Sequence, residues 1–155
     1  MQIRKAIHTD LPKLKTLFIK TLENVNVKDY SPTQIKKWIK IGQSNKRWED
    51  ISKQHEFFIC ESNTDELLGF TSINDKGFIH SFFVSAKYQN EGVGSFLMHY
   101  LYKKANEKNL STLEAEVSIT AKSFFEKFSF KVIKPQIVFI DDTAFRNFKM
   151  LKILK

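Results

Sequence analysis

The chain is poor in the residues that cross-link, punctuate or anchor a fold. One cysteine, Cys60, excludes an internal disulfide and fits a compartment that keeps thiols reduced, so a cytoplasmic protein is expected. Three prolines and five glycines among 155 residues leave no candidate linker, low-complexity segment or repeat. No apolar run approaches the roughly 20 residues of a membrane span, and the opening "MQIRKAIHTD" lacks the apolar core of a signal peptide. Acidic residues are short against basic ones, 17 to 25, for a net charge of +8. That charge suits an anionic partner such as a polyphosphate cofactor or nucleic acid. The lysines, however, are scattered (Lys13, Lys15, Lys20, Lys36, Lys37, Lys103, Lys104) on what read as solvated helix faces. The nearest approach to a basic stripe, "RNFKMLKILK" at 146–155, alternates like a strand. Neither a nucleic-acid nor a membrane partner is expected.

What is abundant is phenylalanine, 15 residues, within 42% hydrophobic and 27% charged content. This is the composition of one globular domain over residues 1–155 with an aromatic core. The periodicities read as a strand at "QIRKAI", then an amphipathic helix with Leu11, Leu14, Leu17, Phe18, Leu22 and Val25 on one face and Asp10 or Thr9 as cap. A second helix, "SPTQIKKWIKIG", has Ser31 and Gln34 in a capping box and Gly42 as its stop. The segment "NKRWEDISKQ" is ambiguous. Three strands follow, "EFFICES", "LLGFTSI" and "FIHSFFV", joined by turns at "NTDE" and "NDKG". A helix from about Gly92 to Asn109 is expected to bury Val93, Phe96, Leu97, Tyr100 and Leu101. The strand "STLEAEVS", a short helix "TAKSFFEKF" and two last strands complete a mixed α/β sheet with helices on its faces, with Pro135 breaking or bulging the first of those strands.

One stretch calls for an explanation. In "SFFVSAKYQNEGVGSFLMHYL" two of the five glycines stand one residue apart at the start of a helix, where each costs about 1 kcal/mol against alanine. A strand end, a tight glycine turn and a helix N-terminus together make an anion site, because the first helical N–H groups have no internal partner and the helix dipole adds positive potential. A dinucleotide fingerprint would need a third glycine where Leu97 stands, and the Gly-Lys-Ser/Thr ending of a phosphate loop is absent. Taken alone, the motif stands between a pyrophosphate cradle and a plain turn.

Its surroundings point further. Gln89-x-x-Gly92-x-Gly94 after a strand resembles the pyrophosphate loop of the GNAT acetyltransferases. "VSITAKSFFEKFSFKVI", with Ala121, Phe124, Phe125, Glu126, Lys127 and Phe130, is similar to that family's second signature. The resemblance implies a mostly antiparallel central sheet of about seven strands flanked by about four helices, splayed between strands 4 and 5. It implies transfer of an acetyl group from acetyl-CoA to an amine, with no metal. By the match, Gln89, Asn90, Glu91, Gly92, Val93, Gly94 and Ser95 hold the coenzyme's phosphates. Phe83 and Val84 offer main-chain groups, and Ser118 and Phe125 complete the coenzyme side. The chain departs from the pattern in three places. Phe125 replaces a frequent tyrosine acid, Ser118 a frequent asparagine, and Ser129 a glycine expected in the left-handed region.

For the general base two readings stand. His80 lies on the coenzyme strand, where it is either a base or a satisfied core histidine. Glu114 and Glu116 share one face of "LEAEV", opposite Leu113, Ala115 and Val117, and line either a wet cleft or an exposed sheet face. Tyr88, Tyr100 and Tyr102 are possible acids but read as packing residues; Tyr30 and Trp38 are possible acceptor contacts. Cys60 reads as a small buried residue. A non-catalytic coenzyme A-binding or interaction module of the same fold is the competing function. The acceptor is unspecified, and the oligomeric state is open, a homodimer included.

Overall fold

The computed structural model describes all residues 1–155. β1 (Gln2–Lys5) leads into α1 (Leu11–Asn24), whose apolar face buries Leu11, Leu14, Leu17, Phe18 and Leu22 as its spacing predicts. Asp10 stands at the N-cap position, but its side chain does not cap. Its buried carboxylate instead accepts both terminal nitrogens of Arg4 at 2.9 Å and the N–H of Ile7 at 2.8 Å. Arg4 also reaches buried Glu61 at 2.9 Å, so one guanidinium is shared between two buried carboxylates at the sheet edge.

α2 (Pro32–Gly42) opens with the expected capping box: the Gln34 N–H donates to Ser31 Oγ at 3.1 Å and the Ser31 N–H to Gln34 Oε1 at 2.8 Å. Gly42 is the last residue of the helix, as expected, but the right-handed Gln43 beyond it shows that no left-handed glycine cap ends it. The glycine is there for packing: a Cβ would stand 2.2 Å from Cε1 of Phe18 on α1. The ambiguous segment is a helix, α3 (Asn45–Gln54), capped by Ser44 Oγ accepting the Arg47 N–H at 3.2 Å. Its apolar face is little more than Trp48 and Ile51, and the Trp48 indole donates to the Gly42 carbonyl at 2.8 Å. So five helices, not about four, surround the sheet.

β2 (Glu56–Glu61), β3 (Leu67–Ile73) and β4 (Phe78–Val84) form the meander. Their turns carry Asp65 at φ 62° and Gly77 at φ 90°. α4 (Val93–Glu107), β5 (Thr112–Ser118), α5 (Lys122–Lys127), β6 (Lys131–Ile140) and β7 (Thr143–Ile153) follow. The seven strands lie in the order β1-β2-β3-β4-β5-β7-β6, antiparallel except for β4 against β5. β6 is an edge strand, so Pro135 costs no ladder bond to a further neighbour, and the register slips beside it between Val132 and Lys134. α4 buries Val93, Leu97, Met98, Leu101 and Ala105; Phe96, expected inside, is 38% exposed, and Tyr100 is half-buried. Ser129 takes φ 66° after α5, as expected of its position, and the Phe130 N–H closes on the Phe125 carbonyl at 3.1 Å. One face of the sheet packs on α4 and α5 through Met98, Leu101, Leu113, Phe125 and Met150. The other packs on α1 and α3 through Leu14, Phe18, Trp48, Phe57 and Phe70.

Candidate active site

The sheet splits where the pairing of its parallel strands ends. Only Phe78↔Glu114 and Ile79↔Ala115 are paired; β4 runs on to Val84 and β5 to Ser118 apart from each other. The cause lies in the register with β3. Ser72 faces Ser81 and Ile73 faces Ile79, so His80 is one residue too many, a β-bulge. A bulge bends its strand and breaks the alternation of side chains. Ile79 therefore belongs to the core under α4 and α5, whereas Phe83, four residues on, packs with Phe18 and Phe70 under α1. His80 and Ser81 fall side by side, with Nδ1 3.0 Å from Oγ. The fork opens into a cleft of about 770 Å³ reached by both halves of the sheet and by all five helices.

Past the bulge, the Ser85 N–H donates to Leu68 at 2.8 Å. In an antiparallel ladder residues two apart share a side, so Phe83 turns its main chain to β3, while Phe82 and Val84 turn theirs to the split. The main chain of Phe83, expected at the split, is thus turned to β3, and it is those of Phe82 and Val84 that face the opening. The Val84 carbonyl, with no β5 partner, accepts the Gln89 side-chain amide at 2.8 Å and Thr21 Oγ1 at 3.4 Å. Gln89 therefore fastens the loop to the strand with its side chain. Asn90 at φ 61° and Gly92 at φ 88° turn the chain into α4. The main-chain N–H groups from Gln89 through Ser95 donate to no other group of the protein, and the first helical bond is Phe96 N–H to Gly92 C=O at 3.0 Å. Gln89, Asn90, Gly92, Gly94 and Ser95 line the cleft. The side chain of Val93 is buried in the core and that of Glu91 is exposed outside the cleft, so these two residues offer only their N–H groups. A row of free donors at a helix N-terminus, in a cleft that Lys127 and Arg146 also line, fits a pyrophosphate. Gly94 has a second reason to be bare: a Cβ would stand 2.9 Å from the Phe124 ring, which also packs 5.2 Å from Phe82.

The opposite wall is made of side chains. His80 and Glu116 are the first residues beyond the last β4–β5 pair, both on the α1/α3 face. Glu114 and Glu116 do share a face, but only Glu116 lines the cleft. The His80 ring is reachable by water yet walled on most sides. Loss of bulk solvent, with the nearby charges of His55 and Arg47, pushes its pKa down to about 4. It is therefore neutral at pH 7. His55 packs beside it at a tilt of 48° with centroids 5.1 Å apart; its Nδ1 is buried without a partner and burial lowers its pKa as well.

The remaining candidates are spread out. Ser118 lines the cleft and its Oγ accepts the Ala121 N–H at 3.1 Å, in the turn that leads into α5. Phe125 reaches the cleft from a buried position, 5.5 Å from Phe82 and 5.0 Å from Phe130. Tyr88 donates to Glu66 at 2.6 Å and Tyr102 to the Phe128 carbonyl at 2.9 Å; these and Tyr100 lie outside the cleft. Burial raises the Tyr102 pKa to about 12. Tyr30 is the tyrosine that lines the cleft, wedged against Trp38 and accepting the Ile119 N–H at 2.9 Å. Thr21, Arg47, Phe82 and Phe124 are not legible in the sequence as site residues, since each depends on a fold contact that no spacing encodes. Cys60 is buried and its thiol pKa is raised by burial, as a packing residue requires.

A split parallel pair with a donor-lined helix N-terminus at its mouth forms a cleft with room and donors for an anionic ligand, and similarity to known proteins says which family builds it. The acetyltransferase (GNAT) domain model matches residues 26–150, and the chain belongs to that family. It is 33% identical over 150 residues to the uncharacterised N-acetyltransferase YafP of Escherichia coli K12, covering 97% of this chain and 94% of that one. Its fold is shared with a GCN5-related N-acetyltransferase from Rhodopseudomonas palustris at TM-score 0.93 and 22% identity, over 99% and 95% of the two chains. It is shared too with a PaiA N-acetyltransferase from Thermoplasma acidophilum in complex with coenzyme A, at TM-score 0.79 and 21% identity, over 98% of each chain. The chain is an acyltransferase of this family.

Proposed function

We propose that the protein transfers the acetyl group of acetyl-CoA to a primary amine of a small molecule or peptide. The observation that carries this is the run of free N–H donors from Gln89 to Ser95 at the mouth of the β4–β5 split. Acetyl-CoA supplies an acyl carbon already activated as a thioester. The N–H groups of the loop and the α4 dipole hold its pyrophosphate, with Lys127 adding charge. The Phe82 main chain, turned to the split, offers an N–H to the carbonyl oxygen as negative charge develops there. An alkyl amine arrives protonated, and Glu116 attracts it. Neutral His80, directly or through one water, takes the proton that must leave before nitrogen attacks. The nitrogen–carbon bond forms as the carbon–sulfur bond breaks, and the second proton that the nitrogen sheds on becoming an amide passes to the departing thiolate, with a pKa of about 8.5, directly or through water. The test is calorimetry with acetyl-CoA, followed by thiol release on a panel of amines. Binding with turnover supports the reading. Binding without turnover on any amine favours a coenzyme-binding module, and no binding overturns both.

A further inference from the structure

Resting on the acetyltransferase reading above, the charges around the fork narrow the acceptor. A polycation such as a polyamine needs several carboxylates. The cleft lining holds one, Glu116, and its neighbour across the β5–β7 ladder is Lys149. Glu114 shares the face but lies outside the cleft. On the α1/α3 side of the fork the lining carries instead Arg47, from α3. An exposed arginine is by default a solvated one. Arg47 differs from that default in its place. It lines the cleft, its guanidinium forms no ion pair and donates to no group of the protein, and it lies near enough to His80 for its charge to act on the ring. Trp48 and Ile51, from the same helix, add apolar lining to the cleft.

A cation site and an anion site thus flank the point where the proposed base stands: Glu116 on β5 and Arg47 on α3, with His80 at the fork. A guanidinium fork matches a carboxylate or phosphate in bidentate geometry. We propose that the acceptor is an amine that also carries an anionic group, with Glu116 receiving the ammonium end and Arg47 the anionic end. An amino acid is the simplest member of the class. The aromatic wall of Phe18, Trp38 and Trp48 suits one with an apolar side chain.

The experiment uses matched probes on the full chain: phenylalanine, phenylalaninamide and phenethylamine, then aspartate with β-alanine, and spermidine. kcat/KM for phenylalanine is expected to exceed that for phenethylamine at least tenfold, a difference of about 1.4 kcal/mol. Arg47→Gln is expected to collapse that ratio through KM while the acetyl-CoA Kd, measured by calorimetry, stays put, and Arg47→Lys is expected to restore part of it. A ranking led by phenethylamine or spermidine, or a ratio unmoved in Arg47→Gln, overturns the inference and leaves the acetyltransferase reading standing. Absence of turnover on every probe, with acetyl-CoA bound, sinks both.

Discussion

The wall of the cleft at the start of α4 presents main-chain N–H groups, whereas the wall at the β4–β5 fork presents the side chains of His80, Glu116 and Arg47. Main-chain donors depend on backbone shape, so the first wall is sensitive to anything that adds bulk and indifferent to most side-chain identities. Glu91 and Val93 can be what they are because their side chains point elsewhere. The second wall depends on which atoms end each side chain. One wall is thereby fitted to a constant ligand and the other to a particular one.

The largest effect should come from filling the first wall. Gly94→Asp adds a Cβ that meets the Phe124 ring at 2.9 Å and a carboxylate beside the phosphate donors. Coenzyme A affinity is expected to fall at least a hundredfold, about 2.8 kcal/mol, by calorimetry. Gly92→Ala is the control. Its φ of 88° strains an L-residue by about 1–2 kcal/mol, but nothing lies within 4 Å of the new atom. Stability should drop while coenzyme affinity changes less than tenfold. Equal affinity losses in the two variants would mean that the loop's shape, not space at Gly94, governs binding.

On the second wall, Glu116→Gln should lower kcat/KM about a hundredfold, the low end for a group that handles a proton or its carrier, with coenzyme binding intact. Glu114→Gln, outside the cleft, should stay within about twofold of wild type. A reversed pair of results would move the acceptor to the other end of β5.

The first wall is legible in the sequence because its chemistry is a spacing: two glycines, a glutamine and the strand ahead of them. Even so, single residues act in ways the spacing does not reveal. Gln89 acts through its side chain on Val84, and Gly94 makes room for a ring as well as an anion. The second wall is only half legible. His80, Glu114 and Glu116 announce themselves as ionisable groups on strands, but no pattern separates Glu116 from Glu114. The bulge at His80 leaves no mark in the sequence; it is defined only by what β3 places opposite. It also shifts the alternation, which is why the main chain of Phe82, rather than of Phe83, faces the split. Arg47 is hidden for a different reason. α3 has few apolar residues and is held by Ser44 and by a Trp48 hydrogen bond, so its periodicity is faint.

His80 supplies a smaller, pH-dependent test. Its pKa is near 6.5 unfolded and about 4 folded, so between these values the unfolded chain binds more protons and stability rises with pH. The contribution is fully present above pH 6.5 and is lost as pH falls toward 4. The thermal midpoint of wild type should fall more steeply over that window than that of His80→Gln. In kcat/KM, His80 should give no inflection above about pH 5, and any near pH 9–10 belongs to the acceptor amine. A wild-type inflection at pH 6–7 that His80→Gln removes would show that the ring's exposure to water outweighs the desolvation that lowers its pKa.

The smallest effect is expected at Phe125, where the two walls meet. The ring is buried against Phe82 and Phe130 and reaches the cleft only at its edge. A tyrosine here would bring a hydroxyl toward the leaving sulfur, which Tyr88, Tyr100 and Tyr102 cannot do from outside the cleft. A thiolate is already a good leaving group, so if loss of the amine proton or attack limits the rate, an acid adds little. Phe125→Tyr is expected to raise kcat no more than about tenfold, below the usual range for a positioned acid. Stability should fall by about 1–3 kcal/mol if the hydroxyl finds no partner among the rings. A hundredfold gain would show that thiolate departure limits the natural protein, and would make the donor-lined wall rather than the fork the place where its rate is set.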